Sequence, residues 1–181
     1  SAGLMPREEH NALLRRVLEL LPQRPAKRQD RVRVVLEGGF CEQPPLDMLA
    51  VLQNACYVVD DDLMIGLRWI TEDVRLEGDP WWNLADSYLH RSSYSPVQRD
   101  PRKPKAEMLL RRIRESGAEA AIVCAAKMCE PGLEEQVNYS RALDAAGIPH
   151  LVLEFEETMT VFEQVGMHVE TFAESLLFGF A

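Results

Sequence analysis

Apolar and polar residues follow two different patterns along this chain. Residues 6–21 carry leucines and a valine three and four positions apart, which is the period of an amphipathic helix. Residues 31–38 and 118–126 are short, nearly continuous apolar runs, typical of strands buried in a parallel sheet. A basic segment with two prolines follows the first helix. The pattern predicts an N-terminal helix and linker over residues 1–30 and one folded domain over residues 31–181.

The domain alternates strands with helices. Strands are predicted over residues 31–38, 56–62, 118–126 and 149–156, and helices over residues 44–55, 79–90, 105–117, 131–147 and 160–180. Such alternation indicates βαβ units with right-handed crossovers and a parallel sheet. The simplest arrangement is a flavodoxin-like (Rossmann-like) three-layer α/β domain with four strands in the order 2-1-3-4. Its ligands would bind beyond the carboxyl ends of strands 1 and 3, where the winding direction reverses.

The four cysteines fall into two groups. Cys56 and Cys124 lie within predicted strands, where a thiol behaves as a small buried apolar group. Cys41 and Cys129 lie in the loops after strands 1 and 3, which the predicted topology brings to one crevice. Each is either a small loop residue or a thiolate metal ligand, and spacing alone leaves that choice open. A helix start at Cys129, with Pro131 in its first turn, would favour the thiolate.

Charged residues cluster at the same predicted edge. Lys127 would place a positive charge beside Cys129. The run Asp60-Asp61-Asp62 ends strand 2, and a solvated or helix-capping role is expected for it, with metal binding through oxygen as the alternative. The acidic residues after strand 4 are expected to be only a polar strand end; they are Glu154, Glu156 and Glu157.

Three tryptophans and one long loop complete the set of candidates. Trp69, Trp81 and Trp82 are expected to pack in the interior, the alternative being a pocket for an aromatic or acyl group. The polar loop over residues 92–105 is longer than most connections in compact domains. We expect it to form a surface lid or a contact with a partner.

Composition and missing motifs exclude several classes of protein. The formal net charge of −9 would repel a phosphate backbone, so no nucleic-acid partner is expected. No apolar run approaches the roughly 18–20 residues that span a bilayer, so no membrane association is expected. Nothing in the cysteine spacing suggests a secreted disulfide framework, which favours a cytoplasmic location. The chain has no CxxC pair, so spacing alone does not indicate a zinc or iron–sulfur site. It also lacks the glycine-rich nucleotide loops and the GxSxG elbow of hydrolases.

Several sequence blocks resemble one known family. "GGFCEQPPLDMLAVLQNACYVVDDDLMIGLRW", "EGDPWWNLADSYLHRSS" and "GAEAAIVCAAKMCEPGLEEQ" resemble the C-terminal part of a catalytic subunit of ATP-dependent benzoyl-CoA reductase. The wider family includes the 2-hydroxyacyl-CoA dehydratases, and the resemblance runs from about Glu8 to the end. The family usually reads Phe-Cys-Asp-Pro where this chain has Met-Cys-Glu-Pro at residues 128–131. The loop "SSYSPVQRDP" diverges as well, which leaves the substrate open.

The resemblance implies low-potential electron transfer into a CoA thioester. Family subunits hold a [4Fe–4S] cluster between two flavodoxin-like domains by three cysteines. Carried over, Cys129 is a metal ligand, and Cys41, in the CEQPP block, is a second candidate for cofactor binding. The implied partners are an N-terminal domain that this chain lacks, a second catalytic subunit and an ATP-dependent electron-activating component.

The resemblance leaves two alternatives to a reductase domain. One is a 2-hydroxyacyl-CoA dehydratase subunit, and the other is a non-catalytic module for subunit interaction. Since this chain has at most two candidate ligands, the cluster is expected in the full-length subunit and not in this chain alone. The isolated chain is therefore expected to be inactive.

Overall fold

A computed structural model of the chain describes residues 4–25, 29–38, 42–63, 72–91 and 105–179. The chain divides into two compact units, Ser1–Asp30 and Arg31–Ala181. Within the described ranges, no helix is both long enough and apolar enough to cross a bilayer.

The first unit is built on one helix. Helix α1 (Arg7–Leu20) follows Pro6 and has Glu8 and Glu9 in its first turn, where carboxylates are favoured by the helix dipole. A single 3-10 turn, Leu21–Gln23, continues it. No residue of α1 is buried, and its apolar stripe is exposed.

The second unit is an α/β domain with the predicted order of elements. Its strands are β1 (Val32–Gly38), β2 (Cys56–Asp61), β3 (Ala120–Ala126) and β4 (His150–Phe155), and its described helices are α2 (Leu46–Ala55), α3 (Pro80–His90), α4 (Lys105–Ser116), α5 (Glu130–Ala145) and α6 (Glu163–Leu177). The sheet is parallel throughout, in the order β2-β1-β3-β4. This confirms the predicted three-layer, flavodoxin-like topology.

Helices cover the two faces of the sheet in pairs. Successive strand residues point to opposite faces, so Val34 and Leu36 pack with α2 and α6, whereas Val35 packs with α4 and α5. Strand β3 lies between β1 and β4, and all seven of its residues are buried. Its run of small and β-branched residues is thus the sequence of a central strand with a helix layer on each side.

Gly38, the last residue of β1, is held against β3. It pairs with Cys124 and has φ +102°, a backbone conformation that residues with a side chain rarely adopt. A Cβ atom at this position would lie 2.2 Å from the carbonyl oxygen of Cys124. The carboxyl end of β1 can therefore lie this close to β3 only because residue 38 is glycine.

We expect Gly38→Ala to lower the free energy of unfolding by at least about 3 kcal/mol, because a backbone overlap adds to the cost of the left-handed conformation. Gly147→Ala is the matched control, since Gly147 has φ +65° and no heavy atom lies within 4 Å of the position of an added Cβ. The control should cost only about 1 kcal/mol. Urea denaturation of both variants measures the difference, and equal losses would contradict the packing argument.

Candidate functional site at the carboxyl edge of the sheet

Cys129 lies at the junction between β3 and α5. The strand ends at Ala126, and a tight turn through Met128 brings the chain to Cys129, the N-cap residue of α5. The backbone N–H of Cys129 donates to the carbonyl of Ala126 at 3.2 Å, and its own carbonyl accepts from the N–H of Leu133 at 2.9 Å. Met128 has φ 63°, which is uncommon for a residue with a side chain. The turn thus fixes the backbone of Cys129, and it requires Met128 to adopt a strained conformation.

The thiol of Cys129 lies over the first turn of α5. Gly132 is the third residue of the helix, and a Cβ atom there would lie only 3.1 Å from the Cys129 Sγ. Pro131 occupies the preceding position, which suits it because the first N–H groups of a helix have no partner within the helix. The thiol is half-buried and makes no capping hydrogen bond. It therefore lies beside the positive end of a helix and remains accessible from one side.

Lys127 is engaged by a neighbouring strand end. Its Nζ lies 3.0 Å from Oε1 of Glu156, and its backbone N–H donates to the carbonyl of Phe155 at 2.8 Å. The hydrogen bond that Lys127 donates to Glu156 and the charge of that carboxylate raise the pKa of Lys127. The ammonium group is thus paired with a carboxylate, which corrects the expectation of a net positive charge beside Cys129. Glu156 is therefore an ion-pair partner and not only a polar residue at a strand end, as was expected.

The aspartates at the end of β2 form an ion-paired group with an arginine of α4. The guanidinium of Arg112 donates to the carbonyl of Asp61 and lies 3.8 Å from Oδ1 of Asp60 and 3.5 Å from Oδ1 of Asp62. Asp62 is only 6% exposed. The expected solvated role is therefore wrong for Asp62. Nor does a metal-binding arrangement form here, because no three His, Cys, Asp or Glu side chains among the described residues could hold a metal ion together.

A buried polar pair lies on the same side of the sheet, between Glu37 of β1 and Tyr139 of α5. Both side chains are buried, and they are hydrogen-bonded to each other. Burial raises the pKa of Tyr139, and the carboxylates of Glu37, Asp62 and Glu135 raise it further. Sequence reasoning missed this pair. The available signal was a glutamate interrupting the apolar run "VRVVLEG", since a charged residue there needs a buried partner.

The predicted site residues meet different outcomes. Cys56 and Cys124 are fully buried, which confirms the prediction that they lie buried within strands. Cys41 lies outside the described residues, as does Trp69, so the predicted closeness of Cys41 to Cys129 stays a prediction. The loop over residues 92–104 is also outside them.

Trp81 and Trp82 contradict the expectation of interior packing. They are 80% and 74% exposed. The helical period predicted α3 itself correctly, but it did not say which face of α3 would turn towards the domain.

These features define a flavodoxin-like α/β domain in which the thiol of Cys129 is partly accessible at a helix start. The chain matches the family model described as 2-hydroxyglutaryl-CoA dehydratase, D-component, over residues 1–176. The chain therefore belongs to this family.

Individual relatives agree with the family match. The chain is 33% identical over 178 residues to a benzoyl-CoA reductase subunit of Thauera aromatica, covering 97% of this chain and 46% of that protein. It is 28% identical over 174 residues to the beta subunit of lactoyl-CoA dehydratase of Anaerotignum propionicum (95% and 46%). It is 26% identical over 179 residues to the beta subunit of (R)-2-hydroxyglutaryl-CoA dehydratase of Acidaminococcus fermentans (97% and 47%). The chain spans about half the length of the curated relatives it matches.

Thiol reactivity should separate the cysteines. Burial raises the pKa of Cys56 to about 11, and burial together with the charge of Glu37 raises that of Cys124 to about 12. At pH 8 these two thiols are protonated and enclosed, so iodoacetamide should modify the half-buried Cys129 at least about 100-fold faster than either. Peptide mass spectrometry after timed alkylation measures the rates. In urea all three should react alike, and equal rates in the folded chain would contradict the assigned burial.

Loss of the Arg112 side chain should destabilise the domain. Arg112→Leu leaves partly buried carboxylates without their cation, and we expect it to lower the free energy of unfolding by about 3 kcal/mol. Arg33→Leu is the control, since Arg33 pairs with Glu119 at 3.5 Å with both side chains about half exposed. That change should cost less than about 1 kcal/mol. Thermal and urea denaturation distinguish the two, and a control loss as large as that of Arg112→Leu would argue against the buried network.

Proposed function

We propose that this chain is the C-terminal domain of a catalytic subunit of the benzoyl-CoA reductase and 2-hydroxyacyl-CoA dehydratase type. In that subunit it contributes one wall and the Cys129 thiolate to an iron–sulfur active site for low-potential electron transfer to a CoA thioester. The observation that carries the proposal is the position of Cys129. Among the cysteines that the structure describes, it alone is partly exposed, and it lies at a helix start on the edge of the sheet where such folds bind ligands.

The donor chemistry at Cys129 fits an iron–sulfur cluster. Such clusters are held by cysteine thiolates, and a helix N-terminus stabilises a thiolate. Because residue 132 is glycine, the sulfur has room beside the first turn of α5, where an added Cβ atom would lie 3.1 Å from it. One thiolate does not hold a cluster. The other ligands would come from Cys41 or from the half of the subunit that the relatives have beyond the length matched by this chain.

Within this proposal the chain's own residues hold and shield the site. A bound cluster would supply one-electron chemistry to an acyl or aryl group activated by its thioester. The first turn of α5 would stabilise the negative charge at Cys129. The Lys127–Glu156 pair links the ends of β3 and β4. Arg112 holds the end of β2 through three successive aspartates. These contacts connect the ends of three strands beside the site, an arrangement that suits the positioning of a redox group.

The comparisons favour a reductase over a dehydratase. Identity to the benzoyl-CoA reductase subunit is 33%, against 28% and 26% for the two dehydratase subunits. A dehydratase subunit is the alternative, because the same fold and cysteine would serve it equally well. In either case the proposed partners are the preceding domain, a second catalytic subunit and an ATP-dependent electron-activating component, in the cytoplasm.

Cysteine substitutions in the full-length subunit test the proposal. Cys129→Ser should abolish cluster binding, because serine removes a thiolate ligand. Cys124→Ser is the matched control, since Cys124 lies five residues earlier in a buried strand and should cost stability rather than iron. For Cys41→Ser we expect partial loss of activity with the cluster retained. Iron and acid-labile sulfide per subunit after anaerobic reconstitution are the measurements, with folding checked by circular dichroism.

Two results would contradict this assignment. Equal iron in wild type and Cys129→Ser would show that Cys129 is not a ligand. Stoichiometric iron and sulfide in the purified 181-residue chain alone would show that the remaining ligands have been misplaced. We expect that chain to be folded and colourless after aerobic purification.

A further inference from the structure

Helix α3 is amphipathic, with its polar side turned inward and its apolar side turned outward. The residue that it buries is polar: Asn83, whose side-chain amide donates to the carbonyls of Arg75 and Glu77 at 3.0 and 2.8 Å. Arg91, just after the helix, lies 3.3 Å from the carboxylate of Asp86 and donates to the carbonyl of Asp73 at 2.9 Å. Polar contacts therefore tie α3 to the segment before it, and its inner side is hydrophilic.

The outer side of α3 carries an apolar stripe. Its members recur three, four and seven positions apart, and all are exposed; we call them the aromatic stripe: Trp81, Trp82, Leu84, Tyr88 and Leu89. None of them belongs to either apolar cluster of the described core. The three aromatic side chains alone expose on the order of 500 Å². That is as large as the largest apolar patch of a typical monomer, and such patches commonly mark binding surfaces.

The composition of the aromatic stripe suits a protein partner. Tryptophan and tyrosine are enriched among the few residues that carry most of the binding energy of a protein interface, and these residues cluster near the centre of the buried area. The patch approaches the roughly 800 Å² per partner of a standard interface. The segment leading into α3, residues 72–79, contains four acidic residues and one arginine, and its acidic residues are exposed. A complementary surface is therefore apolar at its centre and basic at its rim.

Charge argues against a second copy of this chain as the occupant. The net charge is −9, and two copies would bring like-charged rims together. The relatives are each named as one subunit of an enzyme, which points to assembly with a different chain. We infer that the aromatic stripe of α3 binds the companion subunit of the same complex, through an apolar groove with a basic rim. This inference rests on the proposed function for the existence of that companion.

The test uses the full-length subunit that contains this chain, together with its co-expressed companion subunit. The double variant Trp81→Ser/Trp82→Ser should raise the Kd for the companion at least about 100-fold, as loss of two central aromatic residues does. Met167→Ser is the matched control, because Met167 is also exposed, at 60%, but lies on α6. It should leave the Kd unchanged. Titration calorimetry gives the Kd, and circular dichroism should show the same folded content for all three proteins.

A second variant tests the basic rim. Glu77→Lys reverses an exposed charge near the aromatic stripe without removing an apolar side chain. It should slow association several-fold and reduce the salt dependence of the association rate, because rim charges act mainly on encounter. An association rate that Glu77→Lys leaves unchanged or increases would overturn the predicted rim.

The other possible results of these experiments can be told apart from one another. An unchanged Kd for the tryptophan variant would overturn the aromatic stripe as the binding surface. The iron content of Cys129→Ser would still test the proposed function independently. Protection of both tryptophans from hydroxyl radicals in the free full-length subunit would show that its own chain covers the stripe. Sedimentation as a dimer that the double variant dissociates would identify a second copy instead. Either result would overturn the companion as the occupant. If the tryptophan variant loses companion binding and Cys129→Ser retains its iron, the binding surface would be supported and the role of Cys129 as a cluster ligand would be contradicted.

Discussion

The carboxyl edge of this domain depends on the close approach of its two central strands. Gly38 ends β1 directly against the carbonyl of Cys124, where no other residue has room for its side chain. The polypeptide therefore leaves β1 and β3 at neighbouring points. From Cys124 in β3 it reaches Cys129 within five residues. A steric constraint on a single backbone contact thus allows the ends of β1 and β3 to lie close together, at the point of the sheet where the winding direction reverses.

The two faces of the sheet are stabilised in different ways. The face towards α2 and α6 has an apolar core in which Phe155 is fully buried. The face towards α4 and α5 has its own apolar cluster and also encloses polar and charged groups: Glu37 with Tyr139, Arg112 with the aspartates after β2, and Lys105 with Glu135. Buried ion pairs add little net stability, but each member is costly to leave alone. Such a network favours one arrangement of α4, α5 and the strand ends over its alternatives.

The features that depend on the local periodicity of apolar residues were predicted from the sequence. Contacts between residues far apart in the sequence were missed. The strands, the helices and the order 2-1-3-4 followed from apolar runs and crossover rules, and the burial of Cys124 followed from its neighbours. Arg112 was missed because it lies about fifty residues from the aspartates that it pairs with. The position of Lys127 after β3 was predicted correctly, but its partner Glu156 lies just after a different strand, β4. The exposure of Trp81 could not be predicted, because α3 faces its own domain with a polar side and no sequence period marks that reversal.

The contact between Cys129 and Gly132 links two positions in the history of the family. A side chain at residue 132 would crowd the sulfur, which already lies about as close as an added Cβ could tolerate. Such a change would therefore displace the sulfur or shift the first turn of α5 by a few tenths of an ångström. Wherever the position of the sulfur matters to the protein, selection should therefore keep the two residues together. A glycine three residues after a helix-capping cysteine is then a mark of inheritance as well as of packing, readable in genomes where no chemistry has been measured.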